Sequence, residues 1–428
     1  IDTGIATAAI DPASLLSGDN YIRPQDGTED KIGHGTAIAG ILVGSDAAGV
    51  PGICPEAQLV PLVYYSQDEG GKTVKGNTAM VAQMLFDAVD VYGCRVINLS
   101  SGAISDTESL RAATAYAAEK NALLVTCAGN DNLDHPTARY YPAAYDTALT
   151  VGAVNRNGTV SSFSQRNDTV DILAPGTNLW VANIRGNKFR AAGTSYATAY
   201  AAGAAAKLLE QTPALTAAQL RQILCASAQD IGPAGYDTDS GWGVLDTEAA
   251  LAWAAQGRLF RDTPPEAWYF ASVNAAVEAN LFGGTDAVHF SPDAPMTRAM
   301  LWTVLARHAG QDTAGGGSWF EKARTWAMET GVSDGENPDA QITREQLVTT
   351  LWRYAASPEA VADLSAFADG ESVSPYAAPA MAWAHQTGLV QGSGGKLHPQ
   401  APAPRAQVAA LMLRLLQSAD PAEPRPAA

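Results

Sequence analysis

The first 255 residues alternate two patterns of apolar positions. RVINLS (95–100) and NALLVTCAGN (121–130) are continuous apolar runs bounded by turn residues, as strands buried on both faces are. TAMVAQMLFDAVDVYG (78–93) and TESLRAATAYAAEKNA (107–122) instead place apolar residues at helical spacing. Strand alternating with helix predicts an α/β fold, a parallel sheet with helices on both faces. GTVSSFSQRN, TVDILAPGTNLWVA and KFRAAGTS add short strands and turns. The run GTSYATAYAAG (193–203) is a helix lined with Ala and Gly on every side, which suits full burial in a crowded layer.

After AAQG (254–257) Trp, Phe and Pro recur and the chain becomes pairs of helices joined by Gly- and Pro-containing loops. MTRAMLWTVLARHAG (296–310), ITREQLVTTLWRYAA (342–356) and APRAQVAALMLRLLQ (403–417) are three versions of one helix. A second helix precedes each: WYFASVNAAVEANLFGG, WFEKARTWAMETGVSDG and YAAPAMAWAHQTGLVQG. The TR or PR starts lie 46 and 61 residues apart, so the third unit carries an insertion, SPEAVADLSAFADGESVSP. The chain therefore divides into a domain over 1–255, repeats over 256–310, 311–358 and 359–418, and a Pro-rich tail over 419–428 expected to be disordered.

Composition adds limits. With 428 residues, 46% of them hydrophobic, the chain can bury more than one core. No run of eighteen apolar residues appears, so no membrane span is expected. The net charge of −17, split as −11 over 1–255 and −6 over 256–428, argues against non-specific nucleic-acid binding. Ten of the twelve cations beyond residue 255 are Arg, which grips anions in a planar, bidentate way. That bias suits an anionic ligand and is also met as plain compositional preference. The chain opens IDTGI with no signal-peptide pattern, so any secretion signal or pro-segment is expected upstream. Cys54, Cys94, Cys127 and Cys225 form no CxxC or metal-ligand spacing and read as buried thiols.

Candidate chemistry sits in IDTG (1–4), GHGTAIAG (33–40) and GTSYATAYAAG (193–203). A serine nucleophile needs a base to take its proton and a carboxylate to hold that base in one tautomer. Asp2, His34 and Ser195 are those residue types. Each stretch alone reads as a turn or a helix cap. Together, in the order Asp, His, Ser with separations of 32 and 161 residues, they carry the chain order of subtilisin.

On these motifs residues 1–250 resemble the subtilisin family of serine proteases, the subtilases. VINLSSGA (96–103), TCAGN (126–130), FSQ, LAPG and GWGVLD also fall where that family places similar stretches. The resemblance implies that Asn130 donates to the oxyanion together with the Ser195 N–H. It implies that Ser100, Ser101 and Gly102 line one edge of the substrate cleft, with Ala128 and Gly129 a wall of the specificity pocket. Two departures stand out. Thr198–Ala199 occupy the place where the family usually carries Pro, and the family's first strand would precede Asp2, so Asp2 is expected to be held loosely. No metal is required for the chemistry; structural calcium is compatible with the acidic stretches DNLD (131–134) and DTDS (237–240), which also read as solvated loops.

Residues 258–417 resemble three S-layer homology repeats, closing into an all-α bundle. FRDTPPEAWYFASV with HFSPDAPMTRAM carries the match, with TREQ in the second unit. The resemblance implies an anionic cell-wall polysaccharide as partner, and an extracellular, wall- or S-layer-associated protein of a Gram-positive-type bacterium. Thr297 and Thr343 are natural N-caps, and Thr343 with Gln346 forms a capping box. Arg298, Arg344 and Arg405 follow the caps at positive helix ends, where an acidic sugar would be favoured. Arg298 and Arg344 are the better candidates, because Pro404 removes the capping hydroxyl of the third unit. Trp268, Trp326 and Trp383 could stack on sugar rings or pack in the core; Leu347, Val348, Leu351 and Tyr354 read as core. The implied function is a secreted, wall-tethered endopeptidase acting on polypeptides. The rival reading is a catalytically silent surface protein used for adhesion or scaffolding.

Overall fold

The structure is a computed structural model and describes residues 1–418, so the 419–428 tail lies outside the described residues. The chain forms two compact units, Ile1–Leu259 and a second beginning at Phe260. The first unit runs through β1 (Asp19–Asn20), α1 (His34–Val43), β2 (Leu62–Val63), β3 (Tyr65–Gln67), β4 (Thr73–Lys75) and α2 (Thr78–Asp90). There follow β5 (Val96–Leu99), α3 (Glu108–Glu119), β6 (Leu123–Cys127), β7 (Leu149–Val154) and β8 (Ile172–Pro175). The hairpin β9 (Leu179–Ala182) and β10 (Lys188–Ala191) leads into α4 (Thr194–Gln211), α5 (Ala217–Ala226) and α6 (Thr247–Ala255).

Strands β5, β6, β7 and β8 pair in that order, all parallel. Helices α2 and α3 cover one face, where Met84, Leu85, Leu110 and Ala113 meet Ile97, Leu99 and Leu124. Helix α4 lies against all four strands. Its Ala197, Ala201, Ala204 and Ala205 are fully buried, and only small side chains let a helix sit that close to a sheet. All four cysteines are unbridged thiols, with Cys94 half-buried and the others buried.

Asp2 is anchored, contrary to the expectation of a loose hold. Its N–H donates to Leu62 O at 3.0 Å and its carbonyl accepts from Tyr64 N at 3.2 Å, in a parallel bridge to Val63. On the other side the Ile1 amino group donates to Asn98 O at 2.8 Å. Two residues of extended chain thus join β2 to β5, because each flanking strand offers an unpaired edge.

The second unit contains α7 (Phe270–Glu278), α8 (Arg298–His308), α9 (Glu321–Glu329), α10 (Arg344–Tyr354), α11 (Ala378–Gln386) and α12 (Arg405–Ser418). The second helix of each repeat packs on the first helix of the next: α8 on α9, α10 on α11, and α12 back on α7. At the centre Met296 N donates to Ala403 O, Ala403 N to Ile342 O, and Ile342 N to Met296 O, each at 2.9 Å. These three bonds form a closed cycle, so the repeats make a ring rather than an open stack. Thr297 and Thr343 cap α8 and α10, the latter with the capping box. Leu347, Val348 and Leu351 are core, whereas Tyr354 is only half-buried, its hydroxyl 2.6 Å from His308 Nδ1.

Candidate active site

His34 opens α1 at a position set by Asp30. That buried carboxylate accepts from the N–H groups of Ile32, Gly33 and Thr36 and from the Thr36 hydroxyl, at 2.6–2.9 Å. It does for this helix end what an N-cap side chain does. Thr3 adds a second tie by accepting from Gly35 N at 2.8 Å. Gly35 must be glycine, since a Cβ there would lie 2.2 Å from Gly4 O and 3.2 Å from Asp2 Cβ. The close approach brings Asp2 onto the imidazole: His34 Nδ1 lies 2.7 and 2.9 Å from the two carboxylate oxygens. A carboxylate only accepts, so Nδ1 carries the proton and Nε2 is left as the basic nitrogen. Burial pulls the His34 pKa down, but the charge of Asp2, its hydrogen bond and the charge of Asp30 outweigh it, and the net displacement is upward.

Ser195 is the second residue of α4, mostly buried, in the first turn where N–H groups have no intrahelical acceptor. Asn130, two residues past Ala128 at the end of β6, is oriented by the same helix end. Its Oδ1 accepts from the Thr194 N–H and the Thr194 hydroxyl, both at 2.9 Å. The Nδ2 group is thereby left as the free donor, 3.8 Å from the Cβ position at Gly193. An oxyanion bound there would meet the Asn130 amide and the helix-end N–H of Ser195 together.

One contact differs from the arrangement a primed nucleophile would have. Ser195 Oγ donates to Ser100 O at 3.3 Å rather than to the His34 ring, and Ser100 Oγ returns a bond to Ser195 O at 3.1 Å. Ser100 is accordingly buried against Ser195, and of the expected cleft edge Ser101 and Gly102 are the more exposed part. Ala128 is buried, its N–H on Val151 O, and Gly129 has φ +113°.

Two neighbours lie inside quoted motifs, but their part in the site is not visible in sequence. Tyr196, next to Ser195, sets its ring 5.8 Å from the His34 ring and packs into the cluster around Ala37, Ile38 and Ala199. Cys127, the last residue of β6, is buried, and burial pushes its thiol up to about 11, so it stays protonated and unreactive near neutral pH. Thr198, where the family's Pro is absent, returns its hydroxyl to Thr194 O at 2.8 Å.

The acidic stretches serve turns. Asp131 accepts from the Tyr140 hydroxyl, Asp237 from the N–H groups of Asp239 and Ser240, and Asp239 pairs with Arg166. Among the described residues no group of three or more His, Cys, Asp or Glu could hold a metal ion. No helix among them is long and apolar enough to cross a membrane.

In the second unit the three repeat arginines each make a bond between repeats. Arg298 Nε donates to Glu336 O, Arg344 Nε to Leu397 O and Arg405 Nε to Phe290 O, all at 2.8 Å. Each stitches its helix to a loop of the neighbouring repeat. Arg405 is buried, Arg344 also binds Gln407, and Arg298 also pairs with Asp334. At the helix start each guanidinium thus has one N–H committed to an inter-repeat carbonyl. Asp262 and Asp369 act in parallel, each accepting two backbone N–H groups of its repeat's loop at 2.7–2.8 Å. Trp268 is 66% exposed; its register equivalents are Trp319 and Tyr376, also exposed, whereas Trp326 and Trp383 form a separate, more buried pair.

Comparison with known proteins identifies the family. The model of the subtilase family matches residues 1–243, and that of the S-layer homology domain matches residues 259–299 and 366–409. Minor extracellular protease Epr of Bacillus subtilis is 33% identical over 265 residues, 60% of this chain and 39% of that protein. Subtilisin Savinase of Lederbergia lenta is 32% identical over 251 residues, 58% of this chain and 88% of that protein. Fervidolysin from Fervidobacterium pennivorans, described as a keratinolytic enzyme related to subtilisin, superposes with a TM-score of 0.53 at 27% identity over 59% of this chain and 41% of its own. The chain belongs to the subtilase family.

Proposed function

We propose that the first unit is a serine endopeptidase and that the C-terminal repeats hold it at the outer cell surface. The observation that carries the proposal is the pair of locked orientations. Asp2 fixes the His34 tautomer, and Thr194 turns the Asn130 amide so that its N–H₂ faces Gly193, two residues before Ser195. In the reaction Ser195 leaves the Ser100 carbonyl, passes its proton to His34 Nε2 and attacks the scissile carbonyl. The oxyanion that forms is held by Asn130 Nδ2 and the Ser195 N–H. His34 then protonates the leaving amine, and water repeats the sequence to free the acyl group. Such hydrogen bonds commonly tighten only when substrate is bound, so the resting contact of Ser195 with Ser100 is compatible with turnover.

The rival reading, a silent surface protein, draws on that same resting contact. Labelling with a fluorophosphonate probe separates the two: the chain should label and its Ser195→Ala variant should not. Equal labelling of both, or of neither, overturns the protease reading. For the repeats, exposed Trp268 with Trp319 and Tyr376 supports stacking on sugars of an anionic wall polysaccharide. Replacing all three by Ala should release the protein from isolated cell walls. Unchanged retention refutes that role.

A further inference from the structure

Strands β5 and β6 are neighbours in the sheet, and the segments that follow them, 100–102 and 128–130, leave it side by side. The resemblance to subtilases makes these segments the two edges of the pocket that takes the side chain on the acyl side of the scissile bond. That space already contains the ring of Tyr140. A Cβ at Gly129 would lie 2.7 and 2.8 Å from Tyr140 Cδ2 and Cε2, and a Cβ at Gly102 would lie 3.2 Å from Tyr140 Cβ. The ring stands where a side chain at Gly129 would be, and the Tyr140 Cβ borders Gly102.

It is also held in place from several directions. The Tyr140 hydroxyl donates to Asp131, and its carbonyl accepts from Ala144 N at 2.8 Å. The next residue, Tyr141, exchanges two backbone bonds with Ala103 at 2.7 and 2.9 Å. Behind Gly129, fully buried Gln165 donates its N–H to Gly129 O at 3.0 Å and its amide to His135 O at 2.6 Å. The wall cannot retreat to make room.

We propose that Tyr140 is a specificity-determining residue that closes this pocket, so that the preferred residue before the scissile bond is small: Gly, Ala or Ser. The inference rests on the protease reading above. A Tyr ring held against Gly129 takes the space that a Phe, Leu or Lys side chain would need.

The test uses the full chain and two peptides that differ only at the residue before the scissile bond, Ala in one and Phe in the other. The parent should favour the Ala peptide in kcat/KM by about tenfold or more, the range that pocket sterics supply. Tyr140→Gly should narrow or invert that ratio by about tenfold, while Tyr140→Phe, which keeps the ring, should preserve it. A parent that cleaves the Phe peptide as well as the Ala peptide overturns the proposal, and so does a Tyr140→Gly enzyme with the parental ratio. The parent ratio decides the matter even where Tyr140→Gly does not fold. Probe labelling of Ser195 run alongside separates the two failures. Absent labelling with neither peptide cut removes the protease reading and this one with it; labelling and turnover with the wrong ratio removes only the role of Tyr140.

Discussion

At the scale of single residues the site is a set of orientations imposed on a few flexible groups. His34 is the clearest case, because burial and two carboxylates pull its pKa in opposite directions and the carboxylates win. The base works only when neutral, so kcat/KM should rise with pH about a midpoint above the ordinary histidine value of about 6.5. Asp2→Asn should lower that midpoint and reduce kcat by about 10³–10⁴-fold, since an amide no longer enforces the tautomer. A pH–rate profile of both proteins checks the pair of outcomes; a rate that falls through this range in the parent removes His34 as the base. Asn130→Ala should cost about 10²–10³ in kcat with little change in KM, the mark of a group that binds only the transition state. Asp2, His34, Asn130 and Ser195 are legible in sequence because short neighbours such as GHGT and GTS mark them. Asp30, Thr3, Tyr196 and Tyr140 are not. Each acts through a distance or a ring position that no local pattern encodes.

At the scale of elements, the helix α1 is placed as much by its first turn as by its apolar face. Asp30 satisfies three N–H groups and a hydroxyl there, so Asp30→Ala leaves several buried polar groups unpaired. The expected cost is about 1–3 kcal/mol of stability, with a fall in kcat from the looser His34. Thermal unfolding and steady-state kinetics on one sample test it, and an unchanged melting temperature would contradict the role. Alternation of apolar runs reveals β5, β6, α2 and α3 directly. It does not reveal how Asp2 is secured, because two residues carry no periodicity and are held by partners 60 and more residues away. The arginines of the repeats show a related limit. Their position after a cap suggests an anion site, and it does not reveal that the guanidinium is long enough to reach a carbonyl of a neighbouring loop as well.

At the scale of the whole molecule, the second unit should respond to mutation as one body. Asp262→Ala strips the acceptor from two backbone N–H groups in the first repeat, and Asp369→Ala does so in the third. Each should lower the midpoint of one shared transition in calorimetry of the full chain, by a few degrees for about 1 kcal/mol. Two resolved transitions for the repeat region would show that the repeats melt separately. The same cycle of bonds among Met296, Ala403 and Ile342 bears on copy number. In an open stack a repeat can be gained or lost by remaking one joint, and the array merely grows longer or shorter. In a ring every joint turns the chain through a third of a circle, and the last helix must arrive where the first one waits. A two- or four-membered version would need a different angle at every joint at once, so the number three is written into the geometry of each contact rather than into the length of the chain.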